Sequence, residues 1–276
     1  MNNLCNVFEM NKSNRKPNAD EHIKDGLIYC NKCGTPRETD ILNPFTGKHQ
    51  KVRCICKCQQ EEKEAEEERL RFDENQRRIT RARKSCFGDC DYSKCTFAND
   101  DGKDSTNSRR TQNYAEHFAE FLDKGQGLIL FGDTGTGKSY HSACIANALL
   151  DRGYTVLMTS VPSLVSSIQR NTYGDYNPLA QAIKADLLIL DDLGAERGTD
   201  YAKEQVYSVI DGRYTANRPM VISTNLEPSQ LMNAESMTLK RIYSRIMEKC
   251  FPLKYSGVDR RIASDERASM AAILDM

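Results

Sequence analysis

The chain has 276 residues, 39% hydrophobic and 28% charged, with 39 basic side chains balanced by 39 acidic ones. This leaves room for one large domain and an appendage, and a net charge of zero excludes a global field that would steer the chain to nucleic acid. No apolar run approaches the roughly 20 residues a membrane helix needs, and Met1 to Phe8 lacks the pattern of a secretory leader, so a cytoplasmic protein is expected.

Residues 1–26 are rich in Asn and are expected to form a disordered tail. A cysteine-rich head follows at 27–58. All cysteines except Cys144 and Cys250 precede residue 96, and without a secretory signal metal or free thiols are favoured over disulfides. Cys30-Asn-Lys-Cys33-Gly34 has knuckle spacing, with Gly34 able to take the left-handed conformation the turn needs. Two thiolates there and two from the group Cys54, Cys56 and Cys58 would close a tetrahedral Zn²⁺ site, leaving one cysteine spare. A redox role for the C-x-x-C is the rival, but no thioredoxin-like βαβ pattern surrounds it. So small a lobe with so few apolar residues needs a metal to fold.

Residues 59–84 are almost entirely charged, acidic first (Glu61 to Glu68) and basic later (Arg77 to Lys84), an order that complements a helix macrodipole. Spacings such as Glu67–Arg71 add i,i+4 support, and too few apolar positions recur for a coiled coil. This linker helix is either a solvated spacer or a partner-docking segment. A connecting segment at 85–110 contains three cysteines with no fourth ligand nearby, Cys86, Cys90 and Cys95, read as free thiols, and a loop from Asp100 to Ser108.

From 111 to 276, apolar runs near 127–131, 154–159, 186–190, 219–223 and 250–254 alternate with helical stretches, which predicts an α/β domain: a parallel sheet flanked by helices. Gly132-Asp133-Thr134-Gly135-Thr136-Gly137-Lys138-Ser139 follows the first run and opens a helix, the setting that makes G-x-x-x-x-G-K-S a phosphate-binding loop. Its backbone N–H groups and the helix N-terminus would cradle the phosphates of ATP, Lys138 would reach the β- and γ-phosphates, and Ser139 would ligate Mg²⁺. The apolar strand at 186–190 ends in Asp191-Asp192, where Asp191 would complete the Mg²⁺ shell and Asp192 would polarise the attacking water. Asn225, ending the next strand, would orient that water. Arg241 and Arg245 share one helix face, and Arg260 follows the last strand.

The order of GDTGTGKS, LLILDDLG, VISTN and a helix carrying RIYSRI resembles the AAA+ ATPases of the DnaC/IstB type, bacterial and phage replicative-helicase loaders and their transposition relatives. The likeness covers roughly residues 86–262, and the cysteine-rich head resembles that of phage and mobile-element loaders. The resemblance implies Cys56 and Cys58 as the second pair of zinc ligands, and no separate helical lid after the last strand. It also implies Arg245 as an arginine finger acting on a neighbouring subunit, and Arg260 as a sensor for the nucleotide of its own subunit. Contacts to single-stranded DNA would come from Arg170 and Tyr173, and from Thr199 and Tyr201. The partners implied are a replicative DNA helicase, single-stranded DNA, and further copies of the chain assembled with ATP. Many AAA+ proteins carry Asp-Glu where this chain has Asp191-Asp192, and the shorter side chain puts fast turnover in doubt. Two alternatives stay open: a transposition ATPase on duplex DNA, and a nucleotide-switched adaptor with little hydrolysis.

Overall fold

The computed structural model describes residues 16–88, 90–171, 177–194, 199–233 and 236–260, and the chain divides into two compact units after Arg77. Among the described residues no helix is long and apolar enough to cross a membrane.

The first unit holds two antiparallel hairpins. Strand β1 (Glu21–Lys24) pairs with β2 (Leu27–Cys30), and β3 (Glu38–Leu42) pairs with β4 (His49–Arg53). Ordered structure therefore begins before residue 27, where the disordered tail was expected to end. The reason lies in Asp25-Gly26, whose φ angles of 52° and 76° supply the two left-handed residues of a tight hairpin turn. Glu21 then turns inward, where its carboxylate pairs with Arg37 at 2.8 Å and accepts the Asn18 N–H at 2.9 Å. Among its described residues few apolar side chains are buried besides Ile28 and Val52; most of the rest are cysteines. Helix α1 (Lys57–Phe87) carries the charged sequence as one continuous element, with Glu67 and Arg71 3.9 Å apart.

The second unit starts at Arg78, well before the domain boundary expected at residue 111, because the segment between contributes to its core. Cys86 and Phe87 are buried, and Tyr92, Cys95 and Phe97 pack against them. After a 3₁₀ turn at Phe97–Asn99, helix α2 (Ser105–Glu116) begins inside what read as a loop, because Asp104 caps it by accepting the Asn107 N–H at 3.1 Å. Then follow α3 (Phe118–Lys124), β5 (Gly127–Gly132), α4 (Lys138–Asp151), β6 (Val156–Ser160), α5 (Val161–Arg170) and α6 (Pro178–Lys184). The chain continues through β7 (Leu187–Leu193), α7 (Asp200–Thr215), β8 (Met220–Thr224), α8 (Pro228–Met232), α9 (Met237–Lys249) and β9 (Cys250–Tyr255).

The five strands form one parallel sheet in the order β6-β7-β8-β5-β9, as expected from runs of Leu, Ile and Val buried on both faces. Neighbouring residues of β5 split between its faces: Leu128 and Leu130 pack with α2, α3 and α4, while Ile129 packs with α7 and α9. Backbones approach closely at both ends of this strand. A Cβ on Gly127 would lie 1.8 Å from the Met220 carbonyl oxygen, and one on Gly132 would lie 1.9 Å from that of Tyr255.

Arg213 of α7 is fully buried, yet it faces carbonyls rather than a carboxylate. Its guanidinium donates to the carbonyls of Ala182 and Ala185 at 2.7 and 2.9 Å, to those of Ile183 and Asp186 at 3.2 and 3.3 Å, and to Pro219 at 2.5 Å. These groups include the unpaired C-terminal carbonyls of α6, where a cation complements the helix dipole. Burial lowers its pKa to about 9, which still leaves it charged at neutral pH.

Candidate nucleotide and metal sites

The P-loop joins β5 to α4 at the carboxyl edge of the sheet and lines a cleft of about 690 Å³. Gly132, Gly135 and Gly137 have φ angles of 130°, 76° and 104°, values that let backbone N–H groups turn toward one point. Asp133 and Thr136 brace the loop: the Thr136 hydroxyl donates to the Asp133 carbonyl at 2.8 Å. Thr134 and Gly135 line the cleft. Lys138 is buried, with Nζ donating to the Gly132 and Asp133 carbonyls at 2.7 and 2.6 Å and to Asn225 Oδ1 at 2.8 Å. Asn225, expected to orient water, accepts from the lysine here.

Ser139 Oγ donates to Asp191 Oδ1 at 3.0 Å. A hydroxyl beside a carboxylate at a phosphate-binding loop is a hard oxygen donor set that fits Mg²⁺. Ser223 was not anticipated. Its hydroxyl donates to the same Asp191 oxygen and accepts the Asp192 N–H at 3.0 Å. The second bond accompanies a bulge in the β7–β8 pairing between Leu190 and Leu193, where Asp192 takes φ 57°, a conformation Asp tolerates better than most residues. Ser223 could have been suspected from its place two residues before Asn225 on the neighbouring strand, but only if the strand order were known.

Arg260 stands at the P-loop of its own chain. Its backbone N–H donates to the Gly135 carbonyl at 3.0 Å, and its guanidinium bonds Asp101 at 3.0 Å. Arg245 does not line the cleft. It pairs with Asp211 at 2.6 Å and lies over the rings of Tyr207 and Tyr214, at 5.0 and 5.4 Å. Arg241 on the same helix is exposed.

The proposed DNA-contact residues are scattered in role. Arg170 is exposed at the end of α5, with Nε donating to the Ser166 carbonyl, and Tyr173 lies outside the described residues. Thr199 caps α7 by accepting the Ala202 N–H at 3.3 Å, which commits its hydroxyl to the helix; Tyr201 is 42% exposed. A larger cleft of about 750 Å³ lies under the starts of β5 and β9, away from the P-loop.

In the head, the Sγ atoms of Cys30, Cys33, Cys56 and Cys58 lie within 4.8 Å of one another. Cys54 is the spare: its thiol donates to the Pro36 carbonyl at 3.3 Å. The Thr35 hydroxyl, 3.0 Å from Cys33 Sγ, is the main cause holding that thiol down at about 5, and Arg37 Nε donates to Cys56 Sγ at 3.4 Å. Four converging sulfurs, some already favoured as thiolates, fit a structural Zn²⁺ ion. Elsewhere, burial pushes the thiols of Cys86, Cys144 and Cys250 up to about 12, and among the described residues none of them joins a group of converging ligand atoms.

A glycine loop on a parallel sheet, a lysine beneath it and a serine–aspartate pair at its mouth define a P-loop nucleotide-binding protein. Residues 57–268 match the family described as IstB-like ATP binding protein, and the chain belongs to that family. It is similar to the replicative helicase loader DnaI of Bacillus subtilis (strain 168), with 30% identity over 166 residues, 53% of each chain. It is likewise similar to the replicative helicase loader DnaC of Escherichia coli (strain K12), with 30% identity over 138 residues, 49% of this chain and 54% of that one. The chain thus spans about half the length of the curated relatives it matches. A crystal structure of the DnaC helicase loader shares the fold at a TM-score of 0.52 and 20% identity, covering 60% of this chain and 98% of that one.

Proposed function

We propose that this protein is an ATP-dependent loader that places a replicative helicase on single-stranded DNA, with hydrolysis of ATP confined to assembled subunits. The observation that carries the reading is the division of labour between two arginines. Arg260 lines the cleft of its own chain and bonds the P-loop, whereas Arg245 does not line that cleft, which supports a role for it at a neighbouring subunit's cleft. The names of the relatives support the loading role.

In this mechanism the P-loop N–H groups and Lys138 bind the β- and γ-phosphates, and Lys138 exchanges its bonds to the loop carbonyls for bonds to phosphate oxygens. Ser139 and Asp191 would hold Mg²⁺, which when bound would supply positive charge to the phosphates. Ser223 fixes Asp191 and the backbone of Asp192, so the Asp192 carboxylate is presented to the water that attacks the γ-phosphorus. Asn225 positions that water, and Asp192 accepts its proton as the bond to ADP breaks. Arg260 and a neighbour's Arg245 offset the charge that develops on the transferring group. The Zn²⁺-organised head engages the helicase, and the exposed Arg170 and Tyr201 contribute to the DNA surface.

The test is loading itself. Purified chain, ATP and the replicative helicase of the same cell are mixed with circular single-stranded or duplex DNA, and helicase retained on DNA is measured by gel filtration. ATP-dependent retention on single strands is the expected result. Preference for duplex with no helicase retained would favour the transposition reading.

A further inference from the structure

One wall of the nucleotide cleft differs in chemistry from the P-loop side. It is made by the segment before α2 and includes Tyr92, Cys95, Asn99 and Asp100. The Asp100 side chain is only 6% exposed, and its two oxygens have different fates. Oδ2 lies 3.4 Å from His141 Nε2, while His141 Nδ1 lies 2.8 Å from the Tyr255 hydroxyl. Burial lowers the pKa of His141, so the ring is neutral near pH 7. Tyr255 then donates to Nδ1, and Nε2–H donates to Asp100. Oδ1, in contrast, is buried with no hydrogen-bond partner.

An unmet carboxylate oxygen in a buried wall is expensive unless a donor arrives with the ligand. Phosphate is not that donor, since two anions repel. Neighbouring Asp101, an ionised carboxylate that accepts from Arg260, has no proton to give. A nucleotide brings two kinds of donor, the exocyclic amine of the base and the ribose hydroxyls. The depth of Asp100 favours the base, the flat part of the ligand that gains most from shelter. Holding Oδ2 on His141 leaves a single acceptor, which suits the single N6 amino group of adenine. The paired N1–H and N2–H₂ donors of guanine would want both oxygens.

We propose that Asp100 Oδ1 accepts a hydrogen bond from the adenine N6 amine and so selects ATP over purine nucleotides that lack it, with His141 and Tyr255 as positioning residues. The inference rests on the reading of the cleft as an ATP site. Titration calorimetry on the full chain tests it with ATP, purine riboside triphosphate, ITP, GTP and 2′-deoxy-ATP. ATP should bind at least about tenfold more tightly than purine riboside triphosphate, the size expected for a hydrogen bond to a charged group. Asp100→Ala should bring those two ligands within about twofold of each other. Lys138→Ala should weaken both equally and leave their ratio intact. Equal binding of ATP and purine riboside triphosphate by the native chain would overturn the assignment while leaving the ATP site standing, and that comparison needs no variant to fold. GTP binding as tightly as ATP, or a loss seen only with 2′-deoxy-ATP, would overturn it too, the latter by making ribose the partner. A chain that binds none of these nucleotides removes the site reading as well.

Discussion

The head and the ATPase unit solve the problem of folding in opposite ways. The ATPase unit buries Ile129, Leu130, Ile145, Leu149, Leu187 to Leu190, Val221 and Ile222, enough apolar surface on two faces of its sheet to drive folding without help. The head has Ile28 and Val52 inside and little else that is hydrocarbon; around them are cysteines and two buried acids, Glu21 and Glu38. One region is held by dispersed packing, the other by a point where four sulfurs meet. Damage to the first should be graded, whereas loss of a Zn²⁺ ion held at the second should be all or none.

The sharpest break in that contrast is metal removal. Chelation should unfold residues 21–58 and leave ATP binding unchanged, since a structural Zn²⁺ contributes on the order of 10 kcal/mol to a domain of this kind. Protease mapping and elemental analysis, about one zinc per chain, check it; a metal-free head resistant to protease would refute the site. Affinity for Zn²⁺ should also fall as pH falls, because protons compete for the thiolates.

Next in size is Arg245→Ala, which should bind ATP normally and lose roughly 10³-fold in hydrolysis, about 4 kcal/mol. Mixed with Lys138→Ala, itself at least about tenfold weaker for ATP, it should regain part of the activity, because some interfaces pair an intact P-loop with an intact finger. No recovery in mixtures that demonstrably co-assemble would argue against action between subunits.

Arg213→Met tests the packed unit. It strips partners from buried carbonyls at the ends of α6, β7 and β8 and should cost about 3 kcal/mol or more in thermal unfolding of the ATPase, with zinc content unaffected. Smallest is Ser223→Ala: ATP affinity within about threefold of native, hydrolysis down about tenfold, or roughly 1.4 kcal/mol, as Asp191 and Asp192 lose a shared brace. Unchanged turnover would mean the bulge alone positions Asp192.

What the sequence disclosed follows the same division. Gly132 to Ser139 could be read because a P-loop is local, its function carried by eight consecutive residues after a strand. Cys30 and Cys33 were legible by spacing, and Asp25-Gly26 would have extended the head had it been read as a hairpin turn. The partners of Ser223, Asp100 and Arg213 were hidden for a physical reason. Asp100 meets His141 across 41 positions, and His141 meets Tyr255 across 114. No periodicity encodes such meetings; they exist only after β9 has docked beside β5. Arg245 illustrates the reverse. Its motif marked it, but not the seat on Tyr207 and Tyr214, which requires α7 and α9 to pack together.

The close approaches at the two ends of β5 bear on how the protein tolerates mutation. Gly132 belongs to a motif, so its intolerance would be credited to nucleotide binding. Gly127 belongs to none, yet a single methyl there would drive into the Met220 carbonyl and push β8 off its neighbour. In a survey of all substitutions scored by protein abundance rather than by activity, Gly127 should therefore accept no other residue, marking a site where selection acts on the sheet alone.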